Sequence, residues 1–532
     1  MKKIFLASIL SITPSLLVAQ SAIDAYQLSQ GDLKGTARFV SMGGAFGALG
    51  GDLSTLTQNP AGIGVYRSSE IGVTLDINMQ STKSNAMGYS LKEDQTKVLC
   101  PNFGYVGSIK LDSELMPIFN WGISFGRMAS FDRIYRGGMP NISTSISNYI
   151  ADFSNGYAPE ELLLTKEYNP YWESNADWLS ILAYNSYMIN PIGNTSNYNG
   201  LFQNGTIGDA MFAVREQGSI DEYSINFGGN FVNTVYWGIG IGITDLDYFN
   251  QTFYDEQLEG AQIADESGNA TTIGDAYIAL DNIKHISGTG FNFKAGIIFK
   301  PINELRLGLA VHTPTYYDLR HDFDAVSTYE YSSGYDKGDY TEIAIFDSQL
   351  RTPWRLMASA ATVLEGRAII SFDYEYVAYN DMTVKDGDGY SIDDVNSDID
   401  NYFKSQNIFR VGAEYRLTPK FSLRAGYNYQ ASNVKNDVMN GDKYIYTSGT
   451  NPSYTFDNKT QYITCGLGYR TNGFYIDAAY VHKNRESEFN AFSRFGLEPG
   501  VSYDLASNAP DAPKATIKDN NNSIVLSVGY KF

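Results

Sequence analysis

The sequence is dominated by short segments in which apolar and polar residues alternate, joined in strict turn by short connections and long ones. There are fourteen such segments, with six short turns and seven long loops between them. The last segment, residues 523–532, shows the pattern most clearly, because every second residue from Ile524 to Phe532 is apolar. A period of two residues predicts strands with one apolar face. Short turns at one end and long loops at the other are typical of a transmembrane β-barrel.

Each predicted strand is close to the roughly 9–11 residues that a tilted strand needs to cross a bilayer. The strands are predicted at 69–79, 102–111, 119–127, 220–231, 235–244, 288–299, 303–313, 352–363, 366–379, 407–417, 420–430, 460–470, 473–483 and 523–532. The even number places both chain ends on the periplasmic side, so the loops 128–219, 245–287 and 380–406 are expected to face outside. The first long loop is expected to hold Cys100. A soluble β-sandwich also uses alternation, but sandwich loops are rarely long at one end only.

The composition agrees with a barrel and narrows the class of protein. The chain has 40 Tyr and 29 Phe, as expected where aromatic girdles border a lipid-facing band. The mean hydropathy is −0.26, and no run of 18 apolar residues follows the N-terminus, which argues against spanning helices. A closed barrel is then the structure that satisfies backbone hydrogen bonds in lipid. The formal net charge of −20 disfavours nucleic acid as a partner.

The first 19 residues are predicted to be a signal peptide. Lys2 and Lys3 supply its positive end, residues 4–18 supply a modest apolar core, and cleavage is expected after Ala19. The mature chain would then begin near Gln20. Only two Cys are present and neither belongs to a CxxC motif, so neither a redox site nor a zinc site is predicted. No metal and no cofactor are expected.

Charged residues fall on the inward-facing side of several predicted strands. One interpretation is a ligand path with polar anchors. The other, which we favour, is a paired ladder that fastens an internal plug, because buried charges persist mainly when they are paired. The residues concerned are Arg306, Arg355, Asp373, Glu375, Arg410, Glu414, Arg416, Arg424, Arg470 and Asp477.

Residues 20–68 precede the first strand, show no strand pattern and are rich in Gly and Ala. A barrel of fourteen strands leaves a lumen that side chains alone do not fill, so this segment is predicted to be the plug. Within it, a Met-Gly-Gly-Ala stretch is followed by Asn-Pro-Ala just before strand one. The residues that carry this motif are Met42, Gly43, Gly44, Asn59, Pro60 and Ala61.

These motifs resemble the N-terminal hatch of the FadL/TodX family, and the strand number and terminal Phe532 match that family too. The resemblance implies an all-β fold, a 14-stranded antiparallel transmembrane barrel over residues 69–532 with a hatch inside the lumen. It further implies an outer-membrane channel for passive uptake of long-chain fatty acids or aromatic hydrocarbons. In the family the hatch shifts and the ligand leaves sideways at a kink in strand three, where this chain has Gly122 and Gly126.

The predicted loop 128–219 carries apolar side chains that water should not contact. It either packs over the barrel mouth as a partly helical lid or lines a groove for a hydrophobic ligand. In the resembled family both hold, since this loop helps to form the site of ligand capture. The residues implied for capture are Leu163, Trp172, Trp178 and Leu182.

The function that we favour is passive transport of a hydrophobic small molecule, with outer-membrane lipid and, through Phe532, the barrel-assembly machinery as further partners. A FadL-like barrel that serves protein secretion or interaction, as PorV does, is an alternative. A haem-binding receptor is another, although only four His are present and His312 alone faces inward from a strand. An enzyme is not expected, because no Ser, His and acid are grouped on the wall.

Overall fold

The computed structural model of the protein describes residues 20–86, 88–264, 270–332, 336–495 and 510–532. The predicted signal peptide, residues 1–19, lies outside the described residues. Within the described ranges, no helix is both long enough and apolar enough to cross a membrane.

Antiparallel strands close into a barrel of 14 strands, as the alternation predicted. The strands are β1 (Glu70–Ala86), β2 (Tyr89–Lys110), β3 (Ile118–Ser130), β4 (Arg133–Met139), β5 (Asn190–Pro191), β6 (Tyr198–Asn199), β7 (Ile207–Phe231), β8 (Val235–Ala264), β9 (Ala270–Phe299), β10 (Leu305–His312), β11 (Tyr316–Tyr331), β12 (Asp336–Tyr340), β13 (Ala344–Arg351), β14 (Arg355–Leu364), β15 (Ala368–Val377), β16 (Thr383–Asp386), β17 (Gln406–Arg416), β18 (Phe421–Ala431), β19 (Tyr454–Thr471), β20 (Phe474–Asn490) and β21 (Lys514–Lys531). All except β4–β6, β11–β13 and β16 belong to the closed wall. The ring closes where β1 pairs with β21, from Glu70 opposite Lys531 to Asn85 opposite Thr516.

The outer end of the lipid-facing band is marked by a row of apolar side chains in cross-strand register. Tyr223 stands opposite Ile243, which stands opposite Phe291, and all three are exposed on the outside of the wall. One row further out, Asp221 stands opposite Asp245. The change from aromatic and aliphatic side chains to carboxylates is the boundary expected between lipid tails and polar headgroups.

The strands continue far beyond this band, and here the loop predictions were wrong. The two ends of the predicted loop 128–219 lie in strands, because β3 and β4 reach to Met139 and β7 begins at Ile207. Residues 80–86 belong to β1 and residues 89–101 to β2, so Cys100 lies in a strand. Residues 245–287 belong mostly to β8 and β9, which have 30 residues each. Outside the membrane the outward face of a strand carries polar residues too, and apolar residues on the inward face pack against other parts of the chain, so the alternation that revealed the wall changes at its edge.

The helices lie inside and above the barrel. They are α1 (Ala22–Leu28), α2 (Ala37–Ser41), α3 (Thr55–Gln58), a 3₁₀ helix at Pro60–Val65, α4 (Ile146–Ser154), α5 (Pro159–Leu162), α6 (Pro170–Glu173), α7 (Trp178–Asn185), a 3₁₀ helix at Tyr379–Asp381, α8 (Asp393–Tyr402) and α9 (Asn436–Met439). The predicted loop 380–406 therefore contains β16 and α8. Residues 140–206, which we name the cap, carry α4–α7 and form a buried apolar core with the outer ends of the long strands.

Candidate ligand path

The N-terminal segment, residues 20–68, lies in the lumen, and glycines of the wall let its backbone come unusually close. A Cβ built on Gly426 of β18 would lie 2.2 Å from the backbone nitrogen of Gly43. A Cβ on Gly412 of β17 would lie 2.5 Å from the carbonyl oxygen of Met42. No larger residue fits at these positions without displacing the segment. The backbones of the wall and of the N-terminal segment are therefore in direct contact.

The predicted Met-Gly-Gly stretch forms the turn that follows α2. Met42 is fully buried, and Gly43 has a φ of +63°, in the left-handed region that favours glycine. The Gly43 N–H donates to the Thr464 hydroxyl at 3.2 Å, and its carbonyl accepts from Asn428 Nδ2 at 3.3 Å. A Cβ on Gly44 would lie 2.8 Å from Leu33. The turn is held by β18 and β19.

The predicted Asn-Pro-Ala corner lies against the opposite side of the wall. Asn59 is buried, donates from Nδ2 to the Gly47 carbonyl at 2.6 Å and accepts from the Ala61 N–H at 3.1 Å. Pro60 is the first residue of the 3₁₀ helix. A Cβ on Gly296 of β9 would lie 1.9 Å from Asn59 Oδ1. The corner thus has a fixed shape that depends on a wall glycine.

Most of the predicted inward charges are paired, and one network includes the N-terminal segment. Arg424 bonds Glu414 and Asp477, each at 2.6 Å, and Arg38 of α2 reaches Glu414 at 2.9 Å. Asp373 accepts from the Gly47 N–H at 2.9 Å. These contacts are those of a ladder that fastens a plug, which is the interpretation favoured from the sequence.

In a second group of charges, two arginines form ion pairs with the same carboxylate. Arg355 and Arg410 share one carboxylate, Glu375, at 2.7 Å and 2.5 Å. Nη1 of Arg410 is buried and has no hydrogen-bond partner. Both arginines line a cavity of 80 Å³ in the middle of the lumen, which we name the central cavity. Its apolar lining includes Phe39 and Met128. The cavity therefore offers an unpaired guanidinium nitrogen beside apolar side chains.

The wall has a seam beside this cavity. Strands β2 and β3 pair only from Asn102 opposite Gly126 inward to Lys110 opposite Ile118. Further out, residues 89–99 of β2 pair with β1 alone, and β4 pairs with β7 alone. Within the part of the chain that the structure describes, no backbone ladder joins the two edges, and we name this gap the seam.

Side chains span the seam instead of backbone hydrogen bonds. Lys97 of β2 forms an ion pair with Asp132, and Arg136 of β4 forms one with Glu93. A second cavity, of 40 Å³, lies behind the seam and is lined by Lys97, Asp132 and residues 32–34. Because residues 32–34 also line the central cavity, this short stretch of chain separates the two.

The predicted portal glycines lie at the inner end of the seam. Gly126 forms the last β2–β3 pair, and a Cβ there would lie 3.3 Å from Thr57 of α3. Gly122 is four residues further in, where a Cβ would lie 3.2 Å from Ile63. Both glycines give room to the N-terminal segment. The strand changes course one step further out, at a register shift between Arg127 and Ala129.

The structure separates the four predicted capture residues. Trp178 and Leu182 are fully buried in the core of the cap, where the Trp178 ring lies 5.0 Å from Tyr171. Leu163 and Trp172 are exposed by 45% and 49%. The first pair therefore holds the cap together, and only the second pair offers apolar surface to the outside.

One carboxylate of the wall anchors the cap. Glu256 of β8 accepts from the Ile146 N–H at the start of α4 and from the Tyr254 hydroxyl, both at 2.8 Å, and from the Ser145 hydroxyl. It lies well outside the lipid-facing band. Burial raises the pKa of this carboxyl to about 7, although these hydrogen bonds act in the other direction. The anchor is thus sensitive to pH near neutrality.

Sequence reasoning missed the wall glycines, Asp32 and Glu256. The glycines carry a readable signal, because Gly238, Gly240 and Gly242 occupy successive inward positions of β8. A Cβ on Gly238 would lie 2.1 Å from the Pro60 carbonyl oxygen. Asp32 and Glu256 carry no local signal, since most of their partners are far away in the sequence.

A model of a protein family described as Outer membrane protein transport protein (OMPP1/FadL/TodX) matches residues 216–490, just over half of the chain. No curated protein sequence matches the chain. Solved structures are also similar to this chain. A Pseudomonas aeruginosa FadL homologue has a TM-score of 0.50 at 13% identity, covering 94% of this chain and 99% of that chain.

The Pseudomonas putida toluene transporter TodX has a TM-score of 0.47 at 13% identity, and 94% of this chain and 99% of that chain are covered. The Ralstonia pickettii toluene transporter TbuX has a TM-score of 0.45 at 12% identity, again with 94% and 99% covered. At these identities, the match to the Pseudomonas aeruginosa homologue shows a shared fold.

Proposed function

The chain belongs to the FadL/TodX family of outer-membrane transport proteins, and from that premise we propose that it is a passive channel for hydrophobic small molecules with an anionic head group. Long-chain fatty acids are the class that we favour over aromatic hydrocarbons. The Leu163 and Trp172 side chains of the cap supply the outward apolar surface for capture, and residues 20–68 act as the hatch.

The observation that carries this choice is the central cavity. A hydrocarbon needs only apolar side chains, whereas a carboxylate also needs a buried cation. Arg410 offers an unpaired nitrogen there, and it shares the carboxylate of Glu375 with its neighbour Arg355. A carboxylate head bonded to Arg410 would give this nitrogen a hydrogen-bond partner, and a tail would lie along Phe39 and Met128.

The proposed route leads from the cap to the central cavity and out through the seam into the membrane. The central cavity, at 80 Å³, holds only a handful of water molecules, so the hatch must move before a ligand enters. The seam lies next to this cavity and lacks a backbone ladder, which makes it the part of the wall that opens at least cost. Gly122 and Gly126 then serve as contact points for the hatch at the inner end of the exit.

The test is uptake by an outer-membrane strain that lacks other channels of this kind and produces either the parent or Arg410→Met. Loss of one charge-assisted hydrogen bond costs about 1.5–3 kcal/mol, so we expect uptake of a labelled C16–C18 fatty acid at limiting concentration to fall about ten-fold or more. Uptake of toluene, which has no head group, should not change between the two proteins.

The matched control is Arg320→Met, which removes an arginine that pairs with Asp322 on the exposed outer side of β11. It should behave as the parent does. All barrels must be present in equal amounts and remain heat-modifiable. Parental protein that takes up no fatty acid would refute the transport proposal, and an equal loss of toluene uptake in Arg410→Met would refute the head-group assignment.

A further inference from the structure

The bulge in β3 leaves a backbone carbonyl without a strand partner, and the N-terminal segment supplies one. The β3–β7 register shifts between Arg127 and Ala129, so Met128 is the extra residue of the bulge. The Asp32 N–H donates to the Met128 carbonyl at 2.9 Å. A chain segment in the lumen therefore completes a hydrogen bond that belongs to the wall.

Asp32 also takes the place of β2 as the hydrogen-bond partner of a second backbone group of β3, the N–H of Ser130. Phe131 donates its N–H to Gly218 of β7 at 2.9 Å, so the preceding N–H, that of Ser130, points to the opposite edge, where β2 would pair. The Asp32 carboxylate accepts this N–H at 3.3 Å. A single residue thus supplies both a donor and an acceptor to the free edge of β3.

The Asp32 carboxylate also bonds to strands on the other side of the lumen. Its second carboxylate oxygen accepts from the Tyr462 hydroxyl at 3.1 Å and forms an ion pair with Lys483 of β20. Asp32 therefore bridges the β3 edge of the seam to β19 and β20. Gly31, the preceding residue, lies against Arg355, since a Cβ there would be 3.5 Å from both terminal nitrogens of that guanidinium.

We propose that Asp32 is the positioning residue that latches the lateral path shut, an inference that rests on the proposed transport function. Residues 32–34 separate the central cavity from the cavity behind the seam, and the bonds of Asp32 hold them there. When these bonds break, the partition moves and the two cavities join into one passage to the seam. A head group at Arg410 would lie beside Arg355, which shares Glu375 with Arg410 and contacts Gly31, and would so act on the latch through Arg355.

Fatty-acid uptake by Asp32→Asn provides the first test. This variant loses the ion pair with Lys483 but keeps its size and one acceptor oxygen. A latch that opens more easily should raise the uptake rate several-fold at equal amounts of barrel, whereas a residue with a merely structural role would lower it. Unchanged or lower uptake in Asp32→Asn, beside a parent that transports, would overturn the proposal.

An engineered disulfide, which can be formed and reduced, provides the second test. It is introduced into a protein that carries Cys100→Ser and Cys465→Ser. Asp32→Cys combined with Ser130→Cys should form a disulfide that abolishes uptake, and a reductant should restore it. Each single Cys variant is the matched control and should not respond to oxidant. Parental uptake rates through the oxidised double variant, with the disulfide confirmed by mass, would contradict the latch.

A third measurement needs no ligand and so separates this inference from the transport proposal. In the purified parent, amides of residues 31–33 and 128–130 should exchange hydrogen at matched rates, because one opening event exposes both groups. Asp32→Asn should accelerate both groups together. Independent rates for the two groups would overturn the coupling, even if transport itself were demonstrated.

Discussion

The anchor at Glu256 leads to a prediction about pH. Its carboxyl has an ordinary pKa of 4.5 and a pKa of about 7 when the cap is docked. Because the pKa of Glu256 is higher in the docked state, protonation of this carboxyl stabilises docking. The stabilisation is fully present below pH 4.5 and is lost as the pH rises to 7. At about 1.4 kcal/mol per pH unit across that window, docking should weaken by about 3 kcal/mol in total.

Glu256→Gln imitates the protonated carboxyl, and its amide oxygen can still accept from the Ile146 N–H. The assay is hydrogen exchange of α4 at several pH values, corrected for the intrinsic pH dependence of exchange. The parent should lose about 2.5 kcal/mol of local opening free energy between pH 5 and pH 8, whereas Glu256→Gln should show a flat profile. A flat parental profile, or equal slopes for both proteins, would refute the reasoning.

Three further predictions concern the cap, the hatch and assembly. Trp178→Ala removes a buried ring and should destabilise the cap by about 3–5 kcal/mol, seen as protease cleavage within residues 140–206 while the barrel stays heat-modifiable. Gly43→Ala places a Cβ 2.8 Å from the Tyr427 carbonyl oxygen, so residues 20–68 should become cleavable inside an assembled barrel. Deletion of Phe532 removes its two mutual backbone hydrogen bonds with Ser69, both 3.0 Å, and should leave little folded barrel in the outer membrane. Normal barrel levels after that deletion would count against a role of the terminal residue in assembly.

The sequence determined the strands of the barrel wall, because the environment of each side chain, lipid or lumen, alternates along every strand. A lipid-facing side chain and its lumen-facing neighbour differ in polarity at every step, so the period of two reveals strand number and orientation. The Met-Gly-Gly and Asn-Pro-Ala stretches were recognisable too, because they resemble the hatch motif of the FadL/TodX family. Beyond the lipid-facing band this contrast disappears, and residues 80–101 and 245–287 were therefore mistaken for loops.

Only the tertiary structure decided how the lumen is filled and where the wall is open. Asp32 meets Lys483, and Arg38 meets Glu414, across hundreds of residues of intervening chain, and Asp32 meets Ser130 across 98. The seam begins where β3 shifts register at Met128 and no longer pairs with β2. Such features arise from packing between distant segments, each of which is compatible with several partners when it is read alone.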